Sequence, residues 1–273
     1  MNKLREKREE IAYANKIFTK RLDIITIVKS FLFENKFTNY YSNRRINFYS
    51  YSSLKKHLNN NYKMLEIGTS WFPNFIRVLN MDFPKNNYDV TAINISDAEI
   101  KKHKEFFQKS NLNNVLTAKF EKRNAEILDF NEDIKFDIVI GGAILHHINY
   151  EKTLIDLKNW LDKDSILVFR EPLAHNPIFN LYRFFTPFLH TEDEEPINLY
   201  DFIKIVKKSN YKLEIVYQEA LSPFLFPFNM ISKLIRIKKF AKFLSFLDYK
   251  FSNFYFFKPL SRIATFILVP IYK

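Results

Sequence analysis

The chain has 273 residues, of which 47% are hydrophobic, enough for one large domain with a sizeable core. Its 42 Lys and Arg residues exceed its 30 Asp and Glu residues, and the formal net charge of +12 permits an anionic partner, although the basic residues are dispersed along the chain. The chain has no cysteine, which excludes disulfides, thiolate metal sites and a cysteine nucleophile.

The first 60 residues have the periodicity of amphipathic helices. Apolar residues recur at three- and four-residue steps over residues 4–28, with charged residues between them. We therefore predict an N-terminal helical cap over residues 1–60. Lys29 and Ser30 interrupt the apolar run Ile24–Phe33, so no secretory leader is recognised and we expect a cytoplasmic protein.

After residue 60, short apolar strands alternate with longer amphipathic segments. Strands are predicted at Lys63–Ile67, Tyr88–Asn94, Val115–Phe120, Phe136–Ile140, Ser165–Arg170, Lys212–Glu219 and Ala264–Tyr272, and helices at 72–82, 97–110, 150–161 and 198–209. This alternation predicts an α/β fold with a doubly wound, mainly parallel seven-stranded sheet. Such sheets bind ligands beyond the carboxyl ends of their strands.

An aromatic and basic segment interrupts this alternation at residues 220–263. We predict that it is a helical insertion before the last strand, and that residues 61–219 and 264–273 form the sheet domain. Its aromatic residues suit an acceptor pocket, a lipid surface or an ordinary core. The basic stretch Ile231–Leu247 suits either a membrane interface or a cap helix with one solvated face. Charges and prolines interrupt the apolar runs, so no membrane-spanning helix is predicted.

The three glycines of the chain all follow predicted strands. Gly68 comes directly after Met64–Ile67, and Gly141 and Gly142 come directly after Ile138–Ile140. Glycine allows the backbone to bend sharply or to approach a ligand closely, because it has no Cβ. We therefore expect a ligand site where these two strands end.

The segment Met64-Leu-Glu-Ile-Gly-Thr-Ser-Trp resembles the first strand and loop of the Rossmann-like S-adenosylmethionine-dependent methyltransferases. Further segments resemble the same family in the same order: Val90–Ser96, Arg123–Phe130, Phe136–Ile148 with its Leu-His-His sequence, Leu154–Arg170, and Glu171-Pro-Leu-Ala-His-Asn-Pro. Each match is weak on its own, and their order and spacing over residues 62–219 carry the resemblance. The resemblance implies a methyltransferase that acts on a small molecule.

The resemblance implies S-adenosyl-L-methionine as the cofactor. The implied binding positions are Glu66, Gly68 and Thr69 in the first loop, Asn94 and Ile95 at the second strand end, Asn124 and Ala125 after the third strand, and Gly141 and Gly142 after the fourth. Asn94 and Asn124 stand where the family usually has acidic residues. An amide still accepts and donates hydrogen bonds, but without a charge, so the cofactor site is either weakened or rearranged.

A sulfonium methyl donor is already activated, so alignment of the reactants and a dry pocket supply most of the catalysis. A base is needed only where the acceptor carries a proton. The candidate bases are His146, His147 and His175, with Glu171 placed to orient one of them or to accept a proton. Each histidine is also compatible with a packing role, and no metal site is predicted.

The leading hypothesis is a methyltransferase that acts on a small-molecule acceptor. A second hypothesis keeps the cofactor and places a lipid or quinone acceptor at a membrane surface. A third is an inactive relative that serves as a binding subunit, which the two Asn replacements and the single-glycine loop favour. Nucleic acid is not expected as a substrate, because the chain lacks both a cysteine and an Asn/Asp-Pro-Pro-Tyr/Phe segment to hold a flipped base.

Overall fold

The structure is a computed structural model that describes residues 61–68, 87–109, 116–131, 133–185, 195–221 and 238–272. Its strands are β1 (Asn61–Ile67), β2 (Asn87–Asn94), β3 (Leu116–Lys122), β4 (Phe136–Gly142), β5 (Leu161–Pro172), β6 (Tyr211–Gln218) and β7 (Ile263–Pro270). Its α-helices are α1 (Asp97–Lys109), α2 (Tyr150–Leu157), α3 (Pro177–Phe185), α4 (Leu199–Lys208) and α5 (Lys238–Asn253).

The seven strands form one sheet in the order β3-β2-β1-β4-β5-β7-β6. The first five strands of this order run parallel to one another, whereas β7 runs antiparallel between β5 and β6. The predicted seven-stranded, mainly parallel sheet is therefore confirmed, including the return of the last strand into the sheet. In the insertion, α5 and a 3₁₀ helix (Tyr255–Leu260) lie between β6 and β7.

The central strands are buried on both faces, which explains their continuous apolar sequences. Leu65 of β1 and Val139 of β4 lie in one hydrophobic cluster. The adjacent residues Met64 and Ile138 lie in a second cluster, because successive side chains of a strand point to opposite faces. Both faces of the sheet are therefore covered by hydrophobic core. The loops lie at the carboxyl ends of the strands.

Three elements differ most from the sequence-based prediction. The helix expected over 150–161 ends at Leu157, and β5 begins at Leu161 rather than Ser165. The register between β4 and β5 shifts at this point, and the Ser165 hydroxyl donates to the Phe136 carbonyl over 2.8 Å. Helix α3 was not predicted. The helices predicted within 1–60 and at 72–82 lie outside the described residues.

Asn176 starts helix α3 at the end of the loop that follows β5. Its side-chain oxygen accepts the backbone N–H of Phe179 over 2.7 Å, as an N-terminal capping residue does.

Within the described part of the chain, no helix has the length and apolar character needed to cross a bilayer.

Candidate active site

The carboxyl ends of three neighbouring strands meet at one place on the sheet edge. Ile67, the last residue of β1, is in register with Ile93 of β2 on one side and with Gly141 of β4 on the other. The next residue, Gly68, donates its backbone N–H to the Ile93 carbonyl over 2.9 Å. The two glycine positions and the end of β2 are therefore neighbours, at the edge where such sheets bind ligands.

Gly68 and Gly141 make room for one side chain, Ile144. Gly68 has a φ of +59°, and a Cβ there would lie 2.5 Å from Ile144 Cδ1. A Cβ on Gly141 would lie 2.9 Å from Ile144 Cγ2 and 2.7 Å from Phe169 Cδ1. The group that approaches both glycines closely is thus a side chain of the protein itself. The left-handed backbone conformation in the turn after β4 falls on Ala143, with a φ of 53°, rather than on a glycine.

We expect Gly141→Ala to lower the free energy of unfolding by about 1–3 kcal/mol, because overpacking a filled site costs about that much. The added methyl group would meet the ring of Phe169, which is fully buried and has little room to move. Urea unfolding measures the effect, with Gly142→Ala as the control at the next position. A loss no larger than that of the control would contradict this account of the packing.

Glu171, near the end of β5, holds the turn that follows β4. Its fully buried carboxylate accepts the backbone N–H groups of Ile144 and Leu145 at Oε1, each over 3.0 Å. Its Oε2 lies 2.7 Å from Nδ1 of the buried His146 ring. Since a carboxylate can only accept, Nδ1 carries a proton and Nε2 is the nitrogen on the far side of the ring. An imidazole oriented in this way is typical of a general base.

The other two predicted bases are placed differently. The ring of His147 lies against that of His146, with the centroids 4.1 Å apart. His175 lies in the loop after β5, and its solvent-shielded Nε2 has no hydrogen-bond partner among the described residues. Burial lowers the pKa of His175, which favours its neutral form. The structure thus joins His146, His147 and Glu171 in one cluster, but no hydrogen bond joins His175 to them.

Glu66 and Asn94 mark the ends of β1 and β2. Glu66 is fully buried, in register between Ala92 of β2 and Ile140 of β4. The side chain of Asn94 is also buried, and its Oδ1 accepts the backbone N–H of Ser96 over 2.8 Å. Both polar side chains are therefore held at the sheet edge rather than extended into solvent.

Glu99, in the first turn of α1, is a candidate site residue that the sequence analysis missed. Its Oε2 accepts a 2.5 Å hydrogen bond from the Asn94 side-chain amide, so it adds a carboxylate to the end of β2. Burial raises the pKa of Glu99 to about 7, and this effect outweighs the hydrogen bond from Asn94 and the charge of Lys102, which both lower the pKa. The segment Ser96-Asp-Ala-Glu has the pattern of a capping box, which would have directed attention to Glu99.

In a capping box the acidic side chain returns to the backbone N–H of the N-terminal capping residue. Here the Asn94 side chain takes the N–H of Ser96 instead. The Glu99 backbone N–H still lies 3.4 Å from the Ser96 hydroxyl, but its carboxylate is turned to Asn94. The acidic group is thus held beside the strand end instead of serving the helix terminus.

The loop after β3 lies next to the end of β2, since Arg123 donates its backbone N–H to the Asn94 carbonyl over 3.0 Å. Asn124 follows, and its Oδ1 accepts the backbone N–H of Glu126 over 3.0 Å in a turn. Ala125 is 9% exposed. Of the predicted cofactor positions, only Thr69 lies outside the described residues, and the others line the ends of β1 to β4.

Residues 71–169 match a sequence family described as "Methyltransferase domain". The matched region includes Asn94, Glu99, Gly141 and His146. Over residues 71–169 the chain therefore resembles a methyltransferase domain, and the matched family depends on S-adenosyl-L-methionine. None of the curated proteins compared with the chain matches it.

Solved structures of other proteins, methyltransferases among them, have similar folds. A phosphoethanolamine N-methyltransferase 2 of Haemonchus contortus is 15% identical with a TM-score of 0.51, covering 82% of this chain and 52% of its own. Magnesium protoporphyrin IX methyltransferase of Synechocystis PCC 6803 is 10% identical with a TM-score of 0.52, covering 86% of both chains. A cyclopropane synthase of Mycobacterium tuberculosis is 14% identical with a TM-score of 0.52, covering 81% of this chain and 82% of its own.

The present chain spans about half of the length of the Haemonchus contortus protein. At these identities the similarity concerns the fold, and it confirms the Rossmann-like methyltransferase sheet that the sequence predicted. The polar groups along the edge also fit the cofactor chemically. Glu66, Glu99 and the Asn124 side chain offer hydrogen-bond acceptors, whereas S-adenosyl-L-methionine presents an ammonium group, two ribose hydroxyls and an adenine amino group.

Proposed function

We propose that the protein transfers the methyl group of S-adenosyl-L-methionine to a small-molecule acceptor. The observation that carries this proposal is the buried His146–Glu171 pair directly after β4, beside the glycine positions of a methyltransferase domain. A binding subunit without activity has no need of an imidazole oriented by a buried carboxylate. This pair therefore favours an active enzyme over the inactive alternative.

When bound, the cofactor supplies an activated methyl group on a positively charged sulfur. Glu66 would hold its amino group by a charge-assisted hydrogen bond. Asn94 and Glu99 together would hold the ribose, with Glu99 as the charged acceptor that Asn94 lacks. Asn124 would face the adenine. In this proposal an acidic group still binds the ribose at the end of β2, but it is the Glu99 carboxylate of helix α1.

His146 would act as the general base for an acceptor that carries a proton. Glu171 fixes Nδ1 as the donor of the ring, so the opposite nitrogen Nε2 takes the proton as the acceptor gains its methyl group. Glu171 then stabilises the positively charged imidazolium without being protonated itself. Since Glu171 also holds the backbone of Ile144 and Leu145, the base and the turn form one rigid unit.

Isothermal titration with S-adenosyl-L-methionine and S-adenosyl-L-homocysteine tests the first step. We expect micromolar binding to the full chain, and at least about tenfold weaker binding of both ligands to Glu66→Gln, because a charged hydrogen bond is worth about 1.5–3 kcal/mol. Glu105→Gln, on the exposed side of α1, is the control and should bind as the wild type does. Absence of binding to the folded wild-type protein would favour the inactive alternative.

A screen of small-molecule acceptors for S-adenosyl-L-homocysteine release tests the second step. We expect turnover by the wild type and a loss of about 100-fold or more in kcat for His146→Ala with an O–H or N–H acceptor. His175→Ala should retain most of the activity, since His175 is not joined to the pair. Equal losses in the two variants would contradict the assignment of His146 as the base.

A further inference from the structure

Helix α5 turns several polar side chains, together with Leu244, toward the rest of the protein. Its buried side chains include Ser245, Asp248 and Ser252. Asp248 accepts the backbone N–H groups of Glu219 and Leu221 over 2.9 and 2.8 Å, and the Ser252 hydroxyl accepts that of Ala220 over 3.0 Å. The polar face of α5 therefore satisfies the backbone that follows β6, and this contact fixes which side of the helix faces outward.

The outward side carries aromatic residues, the reverse of an ordinary surface helix. Phe243 lies on α5 and Phe254 directly follows the helix, and both side chains are more than half exposed. The chain continues into Tyr255 and Phe256, whose side chains are 77% and 75% exposed. We call the exposed residues Phe243, Phe251, Phe254, Tyr255 and Phe256 the aromatic ridge.

The aromatic ridge is one connected surface at its C-terminal end. The ring of Phe256 lies 5.9 Å from that of Phe254 and 5.6 Å from that of Tyr255, centroid to centroid. Phe257, which follows, contacts Phe251 with the centroids 5.2 Å apart. Connected exposed apolar surface of this kind marks an interaction site rather than the scattered apolar residues of a normal surface.

The charge around the ridge selects the partner. Residues 238–262 contain six basic residues and one acidic residue, Asp248, which is buried. Lys239 and Lys250 are exposed on α5, and the Lys250 ammonium lies 5.7 Å from the Phe246 ring centroid. Exposed aromatic rings flanked by lysine are the composition of a helix that lies in the interface of an anionic bilayer.

A second copy of the chain and the chain's own first 60 residues are both less suited to this surface than a lipid bilayer. A second copy would bring another +12 charge to a basic face. The first 60 residues contain 13 basic and 5 acidic residues, so they also lack complementary charge. We infer that the aromatic ridge docks the protein on an anionic lipid surface.

The ridge is tied to the strand that carries Glu171. The Asn176 side chain donates to the Leu260 carbonyl, and Leu173 donates its backbone N–H to the Arg262 carbonyl over 2.9 Å. The segment after the ridge is thus bonded to the loop that leaves β5. Docking would hold this end of the sheet near the membrane, where an acceptor that partitions into the bilayer interface is found.

Co-flotation of the full chain with vesicles tests this inference without any need for activity. The probe is vesicles of phosphatidylglycerol and phosphatidylcholine in equal amounts, at about 0.15 M salt. We expect the wild type to float with these vesicles, and the triple variant Phe254→Ser/Tyr255→Ser/Phe256→Ser to bind at least about tenfold more weakly. Tyr200→Ser is the matched control, because Tyr200 is also 77% exposed but lies on α4.

A charge variant separates the contribution of the lysines to membrane binding from that of the aromatic rings. Lys239→Glu/Lys250→Glu should weaken binding to the anionic vesicles, and vesicles of phosphatidylcholine alone should bind the wild type weakly. Wild-type protein that stays in the lipid-free fraction would overturn the inference, as would wild-type binding by the triple variant. A wild-type dimer that becomes a monomer in the triple variant, seen by light scattering, would assign the ridge to a second copy instead. Unchanged unfolding midpoints would show that the exposed substitutions leave the fold intact.

Discussion

Glu171→Gln should lower kcat by about 100-fold or more while leaving the affinity for S-adenosyl-L-homocysteine close to that of the wild type, because removal of a general base costs about 10²–10⁴-fold. The amide oxygen can still accept the backbone N–H groups of Ile144 and Leu145. Its NH₂ group then faces His146 Nδ1, which must become an acceptor. The ring proton moves to Nε2, where the proposed base needs a lone pair.

Nitrogen chemical shifts of the His146 ring measure this change directly, without knowledge of the acceptor. We expect protonation of Nδ1 in the wild type and of Nε2 in Glu171→Gln. The free energy of unfolding should fall by only about 1–2 kcal/mol, because a single hydrogen bond to a charged group is weakened. Glu171→Ala should cost more, since two buried backbone N–H groups would lose their acceptor.

Glu151→Gln is the matched control, since Glu151 is a carboxylate on α2 that forms an ion pair with Lys208 of α4 instead of with His146. It should change neither the ring shifts nor kcat. If Glu171→Gln keeps the wild-type protonation of His146 and its full kcat, the carboxylate has a purely structural role and His146 is not the base.

The sequence predicted the sheet because its strands are short apolar runs between amphipathic helices, and because both cores draw on alternate residues of the same strands. It also predicted that Gly68 and Gly141 lie at one edge. It did not predict that Ile144 fills the space beside them, since only the three-dimensional turn brings residue 144 back to residue 68. Helix α3 was missed because it spans only nine residues, which is too short a window for apolar periodicity to identify a helix.

The pairing of His146 with Glu171 illustrates the same limit. Both residues were candidates because each follows a predicted strand end, but their contact depends on the register of β4 against β5. That register contains a shift between Phe136 and Ile138, and nothing in the sequence indicates it. Glu99 was overlooked for a related reason. The candidate residues were those at strand ends, whereas Glu99 lies in the first turn of α1.

We expect Glu99 to give the proposed cofactor site a pH dependence. Adenosine can measure it, because adenosine carries the ribose but no group that titrates near neutral pH. Burial raises the pKa of Glu99 to about 7, so its carboxylate form predominates only above that pH. Ribose hydroxyls donate to the carboxylate, and binding therefore favours that form. Between about pH 6 and pH 8 the affinity for adenosine should rise by as much as about tenfold, since the competent fraction rises by that ratio.

Glu99→Gln should remove this rise, and Glu105→Gln should keep it. The pH dependence of the free energy of unfolding provides an independent measure of the titration of Glu99. Because the pKa of Glu99 is higher in the folded than in the unfolded chain, its contribution to stability falls as the pH rises from about 4.5 to about 7. Glu99→Gln should abolish that fall. If this fall is abolished but the rise in adenosine affinity remains, Glu99 is buried and titrates without touching the ribose.

A variant that moves the carboxylate from position 99 to position 94 provides the decisive comparison. In Asn94→Asp combined with Glu99→Gln, the acid stands at the end of β2 and the amide on α1, so the hydrogen bond between the two positions is retained with its donor and acceptor exchanged. The Asp side chain can still accept the N–H of Ser96. We expect this double variant to bind adenosine at about pH 8 as well as the wild type does, and much better than Glu99→Gln alone. Since 2′-deoxyadenosine lacks one hydroxyl, it should distinguish these proteins less, because the carboxylate then has a single donor to hold.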